Sequence, residues 1–600
     1  MNKKPAHNFH IPVMGLAYTI DSPIRVAQFG ISSVVSIIDD EIIERMRDFY
    51  SKKFNFDYTA ISIKSEDHRA ERITAYLDMM DDIVTKKFKD FKEEISKNTE
   101  TLKQFIGMLP STSGLKDGLQ NILNKKDNLT ESIKNFIDHN FNPGEIDVNI
   151  MTKVDKDNFV KNVQLPTIYN DAHASLRGFA NSKLSSSVIF SAGMNPRLYS
   201  YLEEFEDFFP NENGELKKKI ILKVSDFRSA MIQGNFLAKK GLWVSEYRIE
   251  SGLNCGGHAF ATDGLLMGPI MEEFKQKKNE LQTSAFTLWK SALEQKGKMT
   301  TSEPLEIKIS VQGGVGTSEE HDFLLSNYNA DSVGWGSPFL LVPEATSLDQ
   351  ETRNLLTKAK EEDYYLSNMS PLGVPFNTIR GTSNDEIKDV NISNQKFGSS
   401  CPKKFLALSK EFTPKGTCTA SKKYQDIKLN ELETNKLNFT DKQYEKSKKN
   451  ITDKSCLCVG LANSAYLGQG LPIKGEKQGV VVCPGPNLSF FDKEVSLSEM
   501  VRHIYGYENV LQDDRRPHLF INELKLYVDY FKNEIVEFSE EITKSQVKKW
   551  ESFKGNLLKG IAYYEELFAE TNHFKPKLDS IFSDLKSFKF KLEKIKIPQL

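Results

Sequence analysis

The features that most constrain this 600-residue chain are its glycine turns, each placed just beyond an apolar run. Ser251-Gly-Leu-Asn-Cys-Gly-Gly-His258 follows Trp243 to Glu250, Val311-Gln-Gly-Gly-Val-Gly316 follows Glu306 to Val311, and Gly334-Trp-Gly-Ser337 follows Ala330 to Val333. A Cβ at such points would keep the backbone from closing around an anion, whereas glycine lets N–H groups converge on it. Turns of this kind after successive parallel strands lie on one rim of a barrel, where (β/α)8 proteins place their ligands. One Gly-Gly pair says little. Strand, Gly-Gly, helix, strand and Gly-x-Gly together describe a phosphate site between the seventh and eighth units.

The remaining strand candidates extend the pattern. Ile11 to Gly15, Ile31 to Ile38, Ser187 to Ser191 (running into Ala192-Gly193) and Lys219 to Val224 are short apolar runs, and Tyr58 to Ile63 is a weak one. Seven clear runs and one weak one make the eight a closed barrel needs, although the count alone also suits an open doubly wound sheet. From Glu66 to about Ile106, apolar residues such as Ile73, Tyr76, Leu77, Met80 and Ile83 recur at three- and four-residue steps, which predicts amphipathic helix. Phe227 to Lys240 and Leu265 to Gln295 have the same periodicity, as does the stripe Leu519, Phe520, Leu524, Tyr527, Val528, Phe531, usually a core face. The expected architecture is an α/β TIM barrel over 1–65 and 171–384, with a helical insertion over 66–170, a loop-rich, cysteine-containing region over 385–496 and a helical C-terminal region over 497–600. Asn384 to Gln395 and Asn435 to Asn450 are polar enough to be exposed loops or boundaries.

Composition narrows the function classes. With 80 basic against 82 acidic residues and no basic stretch interleaved with aromatics, nothing points to nucleic acid. No apolar run approaches the roughly 20 residues of a membrane helix, and no signal-type core follows the N-terminus, so a soluble cytoplasmic protein is expected. Six cysteines in 600 residues are no disulfide framework.

The strand ending in Met14-Gly15, the Gly256-Gly257-His258 turn, the Gly313-Gly314 turn and the Gly334-x-Gly336-Ser337-Pro-Phe-Leu run resemble the nitronate monooxygenase family, once called 2-nitropropane dioxygenases, and the related flavin-dependent enoyl reductases. Val342-Pro-Glu344 and Gly373 to Arg380 resemble later segments of those enzymes. The resemblance covers about residues 9–40 and 185–382. It implies bound FMN, its phosphate on Gly313, Gly314, Gly336 and Ser337, with Met14, Gly15, Gly256 and Gly257 around the ring and Lys223 as cationic partner of the reduced flavin. Thr317 or Ser318 would cap the helix that follows the Gly-Gly turn. His258 would move the proton of a carbon acid, work suited to an imidazole; the plain alternative is a histidine that only hydrogen-bonds flavin or substrate. Where relatives commonly carry Glu-Ala before Gly-Gly-His, this chain has Asn254-Cys255. Cys255 is a thiol beside the flavin or a small core residue, and Asp263 an orienting or capping group.

Cys401, Cys418, Cys456, Cys458 and Cys483 offer soft ligands for an iron–sulfur cluster or zinc, although their spacing matches no strong template and one is surplus. Three functions therefore stand: an FMN-dependent oxidoreductase acting on a small activated carbon acid or unsaturated acyl compound; a flavin and iron–sulfur electron-transfer enzyme fed by a donor protein or NAD(P)H; and a non-catalytic barrel that binds a phosphorylated ligand or a partner.

Overall fold

The computed structural model describes residues 5–125, 128–191, 193–473, 479–511, 515–538 and 542–598; Ala192 lies outside them. Eight parallel strands close a barrel in sequential order: β1 (Phe9–Ile11), β2 (Ser32–Ser36), β3 (Ile146–Ile150), β4 (Ser187–Phe190), β5 (Lys219–Val224), β6 (Val244–Glu250), β7 (Lys308–Gln312) and β8 (Ser332–Gly334). Closure is direct, since Phe9 pairs with Val333 on one side of β1 and His10 with Ser32 on the other.

Two strand assignments from sequence are corrected: the first strand is Phe9–Ile11, so the run Ile11 to Gly15 shares only Ile11 with it and is otherwise the loop after the strand, and a second run is no strand at all. Tyr58 to Ile63 forms no strand, and the third barrel strand is Ile146–Ile150, inside the stretch assigned to the helical insertion. The weak run fails because most of it is exposed and Glu44 takes up its polar groups: a Glu44 carboxylate oxygen accepts from the Tyr58 hydroxyl at 3.0 Å and from the Ile61 N–H at 2.8 Å. Ile-Asp-Val-Asn-Ile is buried at all five positions, and its Asp147 and Asn149 obscure its apolar character in a sequence scan. The helices His68–Lys97, Thr99–Met108, Gly114–Lys125 and Leu129–Asn140 thus fill the β2 to β3 connection, with a small core of their own around Phe91, Phe105, Leu119 and Ile137.

Local chemistry accounts for the other elements. Asp39, Asp226 and Thr317 cap the helices Asp40–Phe54, Phe227–Ala238 and Ser318–Tyr328, each accepting from N–H groups of its first turn. Asn384 to Gln395 and Asn435 to Asn450, read as exposed loops, are largely the helices Ser383–Ser393 and Asp441–Thr452. Both carry capping boxes, at Thr382 and Asp385 and at Thr440 and Gln443, and such reciprocal caps sustain a helix on a polar surface. The stripe on Leu519–Glu537 is core as expected: Leu519, Phe520, Leu524, Tyr527, Val528 and Phe531 are all buried. One continuous apolar core joins the barrel to residues as distant as Leu592. Among the described residues no helix is long and apolar enough to cross a membrane.

Candidate functional site

At the C-terminal rim of the barrel lies a cavity of about 220 Å3. Every strand contributes to it. Met14 and Gly15 enter from β1, Ser36 and Ile38 from β2, Asn149, Met151 and Lys153 from β3, Ser191 from β4, Lys223 from β5, Glu250 and Gly256 to His258 from β6, Gln312 to Gly314 from β7, and Gly336 and Ser337 from β8. All ten residues expected to bind cofactor or act on substrate therefore meet in one place. The strands dictate this, because successive βα turns of a parallel barrel share a face.

The glycines are not equivalent. Gly313 and Gly314 have φ of +119° and +81°, conformations that side chains resist, and a Cβ on Gly314 would collide with the Asn254 amide. A Cβ on Gly256 would collide with the Cys483 carbonyl, so this glycine lets the C-terminal segment cross the rim. Around Gly336 the nearest atoms to an added Cβ are Cγ of Pro12 at 3.4 Å and Sδ of Met14 at 3.9 Å, which leaves room for a ligand. Ser337 Oγ accepts from the Gly485 N–H at 2.7 Å and keeps its own proton to donate.

His258 pairs with Phe376 in a short antiparallel sheet outside the barrel. Its Nε2 is 2.7 Å from Oγ of Ser370, and its ring stands edge-on to that of Phe376 at 5.0 Å. Burial, with Lys153 adding to it, drives the imidazole down to about 4, so the ring is neutral at pH 7. Lys223 faces the cavity within a pair: its Nζ lies 2.9 Å from Glu250, whose other oxygen accepts from Gln312 Nε2 at 2.6 Å. Cys255 lines the cavity with a pKa raised chiefly by burial, which makes it a poor nucleophile. Asp263 lies outside the cavity wall, its carbonyl accepting from Asn556.

Several site residues escaped the sequence reading. Asn149 and Lys153 belong to β3 and its loop, hidden in the presumed insertion. Asn149 is 4% exposed and its Oδ1 has no hydrogen-bond partner, an unmet acceptor in a cavity wall. Lys153 has its ammonium 4.2 Å from the Phe260 ring centre, and burial lowers its pKa. Arg516 is pinned behind the Gly-Gly turn: its guanidinium donates to the Gly314 carbonyl at 2.6 Å, to Asn487 Oδ1 at 2.7 Å and to Glu320 at 2.7 Å. The C-terminal region closes the mouth with Phe405, Leu406, Leu457, Cys458, Cys483 and Gly485. No local motif marks Arg516 or these lid residues.

The five C-terminal cysteines do not form one group. Cys483 lines the cavity wall together with Cys458, its thiol raised by burial to about 12. Among the described residues no group of three or more His, Cys, Asp or Glu side chains is placed to hold a metal ion.

Fold and site together define a closed (β/α)8 barrel with a cavity at its C-terminal rim. No protein-family model matches the chain, and no curated protein matches it in sequence. Among solved structures it is similar to the enoyl reductase domain of MlnA from the macrolactin biosynthesis cluster of Bacillus amyloliquefaciens, at 14% identity over 69% of this chain and 86% of that one, with a TM-score of 0.32. It is also similar to nitroalkane oxidase from Streptomyces ansochromogenes, at 11% identity over 64% of this chain and 85% of that one, with a TM-score of 0.28.

Proposed function

We propose that the chain is an FMN-dependent oxidoreductase whose cavity takes a small carbon acid or an unsaturated acyl compound, with His258 as the proton-transfer residue. The observation that carries this reading is the convergence of the glycine turns, Met14, Lys223 and His258 on one rim cavity whose wall holds the unmet Oδ1 of Asn149. An uncompensated buried amide oxygen suits the N–H edge of a flavin ring, and the space beside Gly336 suits its phosphate. Gly313, Gly314, Gly336 and Ser337 would hold that phosphate, and Asn149 and Lys223 the polar edge of the ring. FMN, when bound, supplies two-electron exchange with a substrate carbon.

The protein's own part is binding and proton management. Ser370 engages Nε2 of His258, leaving Nδ1 for substrate. A ring depressed to about 4 accepts a proton only while substrate is bound close by and releases it readily. Lys153, beside it electrostatically, favours an anionic substrate group in the same space. Leu372, Phe376, Leu406 and Leu457 exclude water from the mouth.

The test is flavin titration of the purified chain, followed by turnover of an alkyl nitronate and of an enoyl thioester with NAD(P)H. His258→Ala should keep FMN affinity and lower turnover by roughly 100-fold or more. Wild-type turnover in that variant would remove His258 from the chemistry. Failure of the wild-type protein to retain any flavin would end the reading and favour a barrel that binds some other phosphorylated ligand.

A further inference from the structure

The turn that leaves β7, Gly313-Gly-Val-Gly316, is gripped from outside the barrel. Arg516 donates to the Gly314 carbonyl at 2.6 Å, Nδ2 of Asn487 to the Val315 carbonyl at 2.9 Å, and Nε2 of His503 to the Gly316 carbonyl at 3.0 Å. Three consecutive carbonyls thus take their donors from side chains 202, 172 and 187 residues farther along the chain. The grip is itself fixed. Nε of Arg516 donates to Oδ1 of Asn487 at 2.7 Å and Nη1 to Glu320 at 2.7 Å, while the other Glu320 oxygen accepts from the Gly316 N–H at 2.9 Å. Nδ1 of His503 accepts from the Val510 N–H at 3.4 Å, which leaves the ring proton on Nε2, the atom that faces Gly316. None of the three gripping residues is more than 3% exposed.

Every peptide unit of the turn is therefore held in one orientation. Peptide units are planar and, among the described residues, all trans, so each N–H points opposite to the carbonyl before it. Drawing the Gly314 carbonyl back to Arg516 turns the Val315 N–H the other way, and Gly314 and Val315 line the cavity while Arg516 and His503 lie behind it. Among the described residues nothing accepts from the N–H of Gly314 or of Val315. Backbone donors in a buried wall are seldom left without a partner, and two successive ones form an anion-binding concavity. They share the cavity with the donating Ser337 hydroxyl and the open space beside Gly336. Glu320, the carboxylate of this turn, is taken up by Arg516 and by the N–H groups of Gly316 and Leu519, so its charge is answered from behind.

We propose that Asn487, His503 and Arg516 are positioning residues for a phosphomonoester, aiming the N–H groups of Gly314 and Val315 at it from behind the turn. The inference rests on the reading of this rim as a phosphate site and adds a part that the glycines do not supply. Glycine permits the φ values of +119° and +81° at Gly313 and Gly314 but does not select them. Without its donors the turn is free to rotate a carbonyl oxygen toward the ligand, and an oxygen in place of an N–H repels a dianion. Arg516 is neutralised by Glu320, so the three residues act through the direction of the backbone dipoles rather than through added charge.

The test compares FMN with riboflavin, which lacks only the phosphate, by fluorescence titration of the full chain. Wild type should bind FMN at least about 100-fold more tightly than riboflavin. Asn487→Leu and His503→Phe should each narrow that preference by roughly 10-fold while riboflavin affinity stays within about twofold. His503→Gln, whose amide still reaches the Gly316 carbonyl as a donor, should restore most of it. An unchanged preference in Asn487→Leu and His503→Phe, or equal losses for both ligands, the mark of a collapsed site, would overturn the proposal. Equal affinity of wild type for FMN and riboflavin would overturn it too and leave the flavin reading standing. If wild type holds neither flavin, the flavin reading falls and inorganic phosphate, titrated into the same proteins under phosphorus nuclear magnetic resonance, decides. Binding by wild type that weakens roughly 10-fold in the two variants supports the grip; no binding, or equal binding, overturns it.

Discussion

His258 owes its character to what surrounds it. The Gly-Gly-His turn was legible as a motif, but the depression of its ring to about 4 comes from burial, with Lys153, distant in sequence, adding to it. Asn149 shows the opposite case, a functional candidate with no motif at all. Its flanks, Asp147 and Ile150, read as part of a helical stretch, and only its buried, unpartnered Oδ1 marks it. A ligand role and a structural role predict different outcomes for Asn149→Leu. Removing an unmet buried acceptor should leave the melting temperature of flavin-free protein unchanged or raised, while FMN affinity falls about 10-fold, a loss of about 1.4 kcal/mol. Calorimetric titration beside thermal unfolding reads both; unchanged affinity would take Asn149 out of the site.

Among elements, the phosphate-type turn after β7 is the clearest example of a local signal completed from afar. Its glycines were visible, and so was Thr317, which caps the following helix by accepting from the Glu320 N–H at 3.2 Å. The clamp behind it was not, because Arg516 follows about 200 residues later. Arg516 and Glu320 are 1% and 2% exposed at their side chains, and Glu320 also accepts from the N–H groups of Gly316 and Leu519. Arg516→Met should therefore strand a buried carboxylate and destabilise the protein by about 3–5 kcal/mol. Adding Glu320→Gln should recover part of that loss, since the stranded charge is then gone. Denaturant unfolding of the single and double variants checks the coupling, and strictly additive losses would mean the pair does not act as a unit. The same lesson holds for β3: its alternation of apolar and polar residues is the pattern of a strand buried on one face, and only its neighbours on both sides and the surrounding packing bury all five positions.

At the scale of the whole molecule, burial of titratable groups sets the response to pH. His7, His10, His258, His321 and His518 are all lowered to about 3–4, chiefly by loss of hydration. Unfolded histidines near 6.5 bind protons that the folded ones refuse, so stability is lost as pH falls from about 6.5 toward 4. Glu523 and Asp147 act in the opposite sense, since burial raises both to about 7 and acidification below pH 7 then stabilises the fold. These five strongly lowered histidines outweigh the two strongly raised carboxyl groups, which leaves a net loss. The melting temperature should drop on the order of 5 °C between pH 7 and 5, and a thermal scan in which it rises over that interval would show that the carboxyl groups dominate.

By itself the sequence determined the parallel α/β pattern, the approximate place of most of the barrel strands and the positions of the glycine turns that reach the rim, because parallel strands and their turns write themselves in contiguous apolar runs and obligatory glycines. Only the tertiary structure decided the third strand, the closure of the barrel, the Arg516 clamp and the lid formed by the cysteine region. Those depend on which distant groups share a buried volume, and burial, with the charge and hydrogen-bond compensation it demands, is a property of the packed molecule rather than of any segment of the chain.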